Sequence, residues 1–356
     1  MHRGGVMDAA PATASLLLAH RQYLRFRAER GRILAYPSRW LPFADRSSND
    51  MLDPERFLPQ LSSETFLGEF MAASSSPTVR RRQLATELKR LRLAAKMTIE
   101  QVAEHLEWSP GKISKIENAR VSVLPRDVRH LLGAYGIGEG PEREALLTLA
   151  RQSRERGWWQ QYGEAVPEYF QTYVGLEAAA SAISAYQAEY VPGLLQTEAY
   201  ATAVHRAALM NADEGEISKQ VAVRMARQHR LTEPDAPQLW VVLNEAVIRR
   251  LVGDQAVMHA QLAKLSELSG APNVIIQILP FSAGAHPAMD SAFSVVTFEP
   301  PTPGDVVYFE YPSGALYLEV PDDVARYRLM FDHLRAMALS PEDSRRLLAR
   351  SADDLA

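Results

Sequence analysis

The sequence predicts a multidomain protein. An all-α domain of five helices precedes an α/β (α+β) domain with a small, mainly antiparallel sheet. Three observations lead to this fold class. The chain has 356 residues, which is too many for one typical hydrophobic core. Apolar side chains recur at helical spacing between residues 78 and 156. After residue 239, short apolar runs are separated by Pro and Gly, as in strands joined by turns.

These patterns divide the chain into three segments. Residues 1–77 form an N-terminal extension that we expect to be poorly ordered or to reflect a mis-assigned start, since prolines interrupt it. Met71 precedes a short, small and polar run, and we hypothesise that translation normally begins there. Residues 78–156 form the helical domain. Residues 157–356 form the second domain, with the boundary at Gly157-Trp158-Trp159.

Composition narrows the class of protein. The absence of cysteine excludes disulfides, thiol nucleophiles and thiolate metal sites, and it suits a reducing cytoplasm. No apolar run is long enough to cross a membrane, so we expect a cytoplasmic protein without a membrane partner. The net charge is −4, yet twelve Lys and Arg oppose six Asp and Glu between Thr78 and His130. Such a local basic excess favours phosphate binding.

The first, fourth and fifth helices of the helical domain are predicted from periodicity and end signals. The first carries Leu84, Leu88 and Leu91 on one side. The fourth begins at Pro125 and ends at Gly136, since proline fits a first helical turn and glycine a helix end. The fifth covers residues 142–156.

Residues 98–120 predict the second and third helices, joined by a tight turn. Thr98 caps the first of this pair, and Gln101 stands where a capping box requires it. Glu107-Trp108 forms the turn, and Ser109-Pro110 opens the next helix. This arrangement is typical of a helix-turn-helix that binds the DNA major groove. The alternative is an ordinary helical hairpin with a solvated charged face.

The outer face of the third helix supplies the predicted DNA contacts. Lys112, Ser114 and Lys115 point away from the apolar face and are predicted to read bases, because Lys and Ser can bond base edges. Arg81 and Lys89 are predicted to contact phosphates. The full predicted DNA-binding set is Arg81, Lys89, Thr98, Gln101, Ser109, Pro110, Gly111, Lys112, Ser114, Lys115, Asn118 and Arg120.

The second domain begins with helical patterns and continues as a mixture of strands and helices. Helices are predicted over 169–189, 195–210, 216–231, 246–252 and 255–269, and from Pro321 and Ser340 onward. Strands are predicted over 239–243, 274–279, 293–298, 306–311 and 316–320.

The segment from Trp158 to Met210 is rich in apolar side chains. The apolar side chains that the core of this domain does not need are a candidate homodimer interface. A dimer is expected because specific operators are usually read by two units. The candidates are Trp158, Trp159, Tyr169, Phe170, Tyr173, Leu176, Ile183, Tyr186, Leu194, Leu195 and Tyr200.

Residues 84–118 resemble the xenobiotic-response-element class of regulators, which share a lambda-repressor-like five-helix domain. The matching residues are Leu91-Arg92, Thr98, Val102-Ala103 and the run from Ile113 to Asn118. The resemblance implies an ion pair between Arg92 and Glu117 and a place for Asn118 near the phosphates. Ile99 departs from the pattern, since many members carry a phosphate-binding glutamine there.

The rest of the chain resembles the C-terminal domain of actinomycete-type, antitoxin-like transcriptional regulators. The matching motifs are Gly157-Trp158-Trp159, Tyr190 to Thr197, Val242 to Ala246, Ile278-Leu279-Pro280 and Gly284-Ala285-His286-Pro287. The resemblance implies a role in development or secondary metabolism and a partnership with a small protein encoded by an adjacent gene. A C-terminal domain that senses this partner or a small ligand would control DNA binding.

An enzyme with a DNA-targeting module is the competing hypothesis, with its site near Glu245 and His286. Six groups could supply acids and bases, namely Glu245, His286, Asp290, Glu299, Glu310 and Glu319. Their convergence in a closed pocket would favour the enzyme, and an open apolar groove would favour the partner protein. The sequence carries no phosphate-binding loop, dinucleotide fingerprint or hydrolase elbow. We therefore expect a regulator of double-stranded DNA operators without catalytic residues, cofactor or metal.

Overall fold

The computed structural model describes residues 76–300 and 304–355. The predictions made for residues 1–75, including a translation start at Met71, lie outside the described residues. None of the helices in the described ranges has the length and apolarity that a membrane crossing requires.

The N-terminal part of the described chain is helical. Its helices are α1 (Pro77–Ala94), α2 (Ile99–His105), α3 (Pro110–Glu117), α4 (Pro125–Ala134) and α5 (Pro141–Gln152). Proline occupies the first turn of four of them, where a missing backbone N–H costs no hydrogen bond. Their apolar faces meet in one core, and its fully buried members include Leu88, Val102, Ile113, Val128 and Leu132.

Three of these helices end in the same backbone motif with a residue other than glycine in the left-handed region. Lys96 after α1, Glu107 after α2 and Ala119 after α3 have φ values of 56°, 55° and 53°. After α3, the N–H of Arg120 donates to the carbonyl of Lys115 at 2.9 Å, and the N–H of Ala119 donates to that of Ile116 at 3.0 Å. This pair of bonds is a Schellman motif, which satisfies carbonyls at the helix end.

The C-terminal part alternates helices and strands. Its elements are α6 (Glu168–Ala178), β1 (Ala182–Gln187), α7 (Glu198–Ala208), α8 (Glu214–Gln228), β2 (Gln238–Asn244), α9 (Glu245–Arg249), α10 (Gln255–Leu268), β3 (Val274–Leu279), β4 (Phe293–Thr297), β5 (Val306–Tyr311), β6 (Gly314–Leu318), α11 (Pro321–Met337) and α12 (Pro341–Asp353). A 3₁₀ segment, Trp158–Ala165, leads into them.

The strands form one sheet of six in the order β3-β2-β1-β4-β5-β6. β3, β2 and β1 are parallel, whereas β4, β5 and β6 add to β1 in antiparallel pairs. The centre of the sheet is therefore β1, where Ala185 lies between Val241 of β2 and Ser294 of β4. The prediction of a small, mainly antiparallel sheet was wrong, because the sheet is larger and mixed.

β1 accounts for most of that error, since residues 182–187 were predicted as part of a helix over 169–189. Only the first part of that range is helical, as α6. Ile183 and Ala185 face one side of the sheet and Tyr186 faces the other, and all three are buried. A strand buried on both faces loses the apolar–polar alternation that identifies strands. Its alanines also favour a helix by local propensity.

Helices cover both faces of the sheet. The larger core joins the face of Ile183 and Val241 to helices that include α6, α10 and α12. The smaller core joins the face of Tyr186 and Val242 to α11, through Phe331 among others. The two buried faces explain why β2 and β3 are almost continuously apolar.

Most residues predicted as dimer-interface candidates belong to these cores instead. The buried ones are Trp159, Tyr173, Leu176, Ile183, Tyr186, Leu194, Leu195 and Tyr200, each at most 7% exposed. Trp158 is 37% exposed, and it packs edge-on against Trp159 and Tyr162. The apolar surplus of this segment is thus used mainly inside the domain.

α1 contributes to both parts of the molecule. Its first turns pack with the sheet domain, since Val79 belongs to the same core as Tyr173 and Leu176. Thr78 lies against Gly175 of α6 so closely that a Cβ there would come within 2.1 Å of the Thr78 hydroxyl. Beyond these turns, Leu84 and Leu88 of the same helix lie in the core of the helical domain.

Arg82 strengthens this connection. One guanidinium nitrogen donates to the Glu319 carboxylate at 3.0 Å and to the carbonyl of Gly304 at 3.2 Å. Its guanidinium carbon lies 5.5 Å from the centre of the Phe298 ring. A single helix is thereby fixed in the sheet domain at one end and in the helical domain at the other.

Candidate nucleic-acid interface

α2 is held at its start by a complete capping box. The hydroxyl of Thr98 accepts a hydrogen bond from the N–H of Gln101 at 3.2 Å, and the Gln101 amide oxygen accepts from the N–H of Thr98 at 2.8 Å. The two side chains satisfy backbone donors that a helix leaves unpaired. Both residues are exposed, but their polar atoms are engaged in the cap.

α3 begins with a second cap, and its first turn is open to solvent. The Ser109 hydroxyl accepts from the N–H of Lys112 at 3.2 Å, and Pro110 occupies the first helical position. Gly111 follows in open space, since a Cβ added there would meet no atom within 4 Å. The fold therefore does not require glycine at this position, and a phosphate or base edge has room to approach the backbone.

The predicted DNA-contact residues lie on the exposed face in the second half of α3 and just beyond its end. Lys115, Asn118 and Arg120 are exposed, while Ser114 is half-buried. The side-chain amide of Asn118 donates to the Ser114 carbonyl at 2.8 Å, so it closes the end of the helix. Lys115 makes no ion pair with the residues described, which leaves its ammonium available to a ligand.

Lys112 differs from Lys115 because other parts of the fold hold it. Its ammonium lies 3.1 Å from the carboxylate of Asp127 in α4 and 3.3 Å from the centre of the Trp108 ring. To reach a base, Lys112 has to leave both groups. No local sequence pattern predicts this contact, because Asp127 lies on α4 and its approach to α3 depends on how the helices pack.

The end of α3 is anchored by a buried ion pair with α1. Arg92 donates twice to the Glu117 carboxylate, at 2.7 and 2.9 Å, and a third time to the carbonyl of Met97 at 2.7 Å. Arg92 is 7% exposed and Glu117 is 8% exposed. Hydrogen bonding to Glu117 raises the pKa of Arg92. The pair fixes the angle between the two helices, so the exposed face of α3 is presented in one orientation.

The two predicted phosphate contacts on α1 have different surroundings. Lys89 is exposed, as a phosphate contact requires. Arg81 is partly buried, and this burial lowers its pKa. Arg81 lies only one position from Arg82, which is committed to the sheet domain.

The acidic and basic side chains named for the enzyme hypothesis have different partners in the fold. The carboxylate of Glu245 accepts from the N–H of Phe281 at 2.9 Å and pairs with Arg249 at 3.2 Å. His286 contacts the Tyr186 hydroxyl at 3.3 Å, and burial lowers its pKa. Glu319 pairs with Arg82, while Asp290 and Glu310 line a separate cavity. The Glu245 carboxylate therefore has a structural role, because the backbone of Phe281 and the side chain of Arg249 engage it.

Comparison with known proteins identifies two regions of the chain. The family described as "Helix-turn-helix domain" matches residues 83–146. The family described as "Domain of unknown function (DUF5753)" matches residues 170–350. No curated protein and no solved structure matches the chain. The first match supports a DNA-binding regulator, since helix-turn-helix domains place a helix in the major groove.

The second match covers just over half of the 356 residues, from α6 to the last helix. The chain therefore belongs to the family defined by this domain of unknown function, DUF5753, and it carries a helix-turn-helix domain in front of it.

Proposed function

We propose that the protein is a sequence-specific transcriptional regulator of the xenobiotic-response-element class that acts in the cytoplasm. α3 enters the major groove of an operator, with Ser114 and Lys115 directed at base edges. One observation carries the proposal. α3 is capped at its start by Ser109 and anchored at its end by the Arg92–Glu117 pair, while its outer face stays polar. A helix fixed at both ends with a free polar face fits base reading.

The regulator acts as a homodimer on a two-fold operator. One helix of eight residues reaches only a few base pairs, so two copies about one helical turn apart, roughly 34–36 Å, supply the remaining specificity. The local basic excess of the helical domain supports the phosphate contacts that position each copy.

The C-terminal domain controls DNA binding, in the manner of antitoxin-like regulators. A partner protein encoded by an adjacent gene or a small ligand is the controlling signal. The physical support is α1, whose residues pack in both domains. A rearrangement of the sheet domain that moves α1 also moves α3, because the Arg92–Glu117 pair joins the two helices. A connected element of this kind can couple two sites when it has two arrangements that the two ligands stabilise differently.

The proposed function is tested by mapping the DNA bound by the full-length protein in its own cells and identifying the proteins that co-purify. Short two-fold sites upstream of genes, lost in the Lys115→Ala variant, would support it. DNA recovered without sequence preference, or with the same preference from that variant, would overturn it. The co-purified fraction tests the adjacent-gene partner separately.

A further inference from the structure

A cavity of about 460 Å³ lies in the sheet domain, within the size range of small-molecule sites. It runs along the sheet face from Ile183 toward the carboxyl ends of β1 and β5, under α6 and α8. β1 is connected forward to β2 on one side and pairs with β4 on the other, so the strand order changes direction there. In open, mostly parallel α/β sheets, ligands bind outside the carboxyl ends of strands at such a point. Here this edge carries the carboxyl ends of β1 and β5, because β4 runs antiparallel to both.

The α8 wall of this cavity holds a cation without an anionic partner. Arg224 donates to the amide oxygen of Gln196 at 2.7 Å, and no carboxylate among the described residues pairs with it. Burial and the nearby Arg227 lower the pKa of Arg224 to about 10. Arg227 itself is neutralised, because Glu177 accepts from it at 2.8 and 2.7 Å. A desolvated guanidinium beside an empty volume favours an anion.

β5 also lines the cavity, and it contributes an unsatisfied polar group. The Tyr308 hydroxyl is buried without a hydrogen-bond partner in the described part of the chain, and the residue is only 5% exposed. Buried hydroxyl groups are normally paired, so an orphan one points to a missing partner. The Tyr308 ring stacks on Tyr173 of α6, with the ring centres 4.0 Å apart.

The rest of the lining is mixed. Of its acids, Glu177 is buried and paired with Arg227, whereas Glu189, Asp290 and Glu310 are exposed. Phe170, Leu194 and Leu239 supply hydrophobic surface. Asp290 and Glu310 are exposed, so solvent weakens their fields, and the opposing effect of Glu310 on the pKa of the largely desolvated Arg224 is smaller than that of burial. The Arg224 guanidinium therefore favours an anionic group on the occupant, and the apolar side chains of the lining favour a hydrophobic body.

We propose that this cavity binds a small organic carboxylate with an aromatic or other flat apolar body. Its carboxylate pairs with Arg224 and reaches the Tyr308 hydroxyl, while its body packs against Phe170 and the other apolar side chains of the lining. Arginine forms two parallel hydrogen bonds with a carboxylate, which gives geometric selectivity as well as affinity.

The cavity is mechanically close to the DNA-binding helices. Tyr173 lies on α6, and Gly175 of the same helix presses directly on Thr78 of α1. A ligand that shifts α6 therefore shifts α1, which anchors α3 through Arg92. This consequence rests on the proposed function, whereas binding of the carboxylate does not.

Saturation-transfer NMR on the DNA-free, full-length protein tests the site. The probes are benzoate, phenylacetate and indole-3-acetate, each compared with its primary amide, which has nearly the same shape but no charge. We expect the acids to bind at least about tenfold more tightly than the amides. Arg224→Gln should remove this difference. Arg206→Gln, on an exposed arginine of the neighbouring α7, should preserve it.

Tyr308→Phe provides a second variant that removes only the orphan hydroxyl and should fold normally. We expect it to weaken the acids severalfold and to leave the amides unchanged. Equal binding of acids and amides, no binding of any acid, or normal binding by both variants would overturn the site. The binding experiment contains no DNA. If the protein binds the acids but no operator is found for it, only the proposed function is overturned.

Discussion

At the scale of single residues, the two lysines of α3 have different roles although both were predicted to read bases. Lys115 is exposed and forms no ion pair within the described residues, whereas Lys112 is held by Asp127 and Trp108. A charge already paired and stacked on a ring gains less from a new partner. Base reading by α3 should therefore depend more on Lys115 than on Lys112.

We predict that Lys115→Ala reduces the preference for operator over scrambled DNA by roughly 1–3 kcal/mol, the value of one good base contact. Fluorescence anisotropy with both DNA sequences measures this difference. Lys219→Ala, which removes an exposed lysine from α8, is the matched control and should retain the preference. If Lys115→Ala discriminates as well as the wild type, α3 is not the reading helix.

We expect the Arg92–Glu117 pair to contribute to the free energy of unfolding rather than directly to DNA affinity. Glu117→Ala leaves a buried guanidinium uncompensated, and removing one partner of such a pair costs roughly 3–5 kcal/mol. Urea denaturation followed by circular dichroism measures the free energy of unfolding. Glu104→Ala, at an exposed position of α2, should change it little. An unchanged midpoint for Glu117→Ala would show that the pair does not stabilise the domain.

At the scale of elements, backbone strain at the ends of the short helices α2 and α3 lowers the stability of the DNA-binding domain. Glu107 and Ala119 occupy a left-handed conformation that costs a residue with a side chain roughly 1–2 kcal/mol relative to glycine. We predict that Ala119→Gly and Glu107→Gly raise the free energy of unfolding by about 1 kcal/mol.

Thermal and urea denaturation of these variants measure the effect. Gly136 is the matched control, since it already occupies the same motif after α4 with φ of 78°, and Gly136→Ala should destabilise the protein. Destabilisation by both glycine substitutions would mean that side-chain contacts of Glu107 and Ala119 outweigh the backbone strain. Affinity for DNA should stay constant, because neither change alters the exposed face of α3.

The helical elements could be predicted from the sequence because their signals are local. Thr98 with Gln101 and Ser109 with Pro110 mark helix starts within a few residues. β1 could not be predicted, because its strand conformation comes from pairing with β2 and β4, which are distant in sequence. Without β1, the parallel half of the sheet and the cavity beside it were also missed.

The candidate sites also differ in whether a local sequence pattern could predict them. The outward set on α3 follows from the periodicity of one helix. The Asp127 partner of Lys112 comes from another helix, and the cavity combines Arg224 of α8 with Tyr308 of β5. Such assemblies depend on tertiary packing, which no local pattern encodes.

At the scale of the whole molecule, we predict that the full-length chain is a dimer, both free and on its operator. Light scattering at micromolar concentration should give about twice the chain mass of 39.7 kDa. Of the apolar set first expected, most members, such as Tyr173 and Ile183, are needed inside the domain, and Trp158, Tyr169 and Phe170 remain at least partly exposed. A monomeric mass in both states would contradict the prediction.

The double membership of α1 has a consequence for protein engineering. Exchanging the DNA-binding domain at the loop near residue 157 would import a foreign α1 and lose Thr78, Val79 and Arg82, which the sheet domain requires. A functional chimaera should instead be joined within α1, between Gln83 and Leu84, where the contacts pass from one core to the other. The smallest transferable unit of the sheet domain therefore includes the first turns of α1, of which residues 77–82 lie outside both family matches.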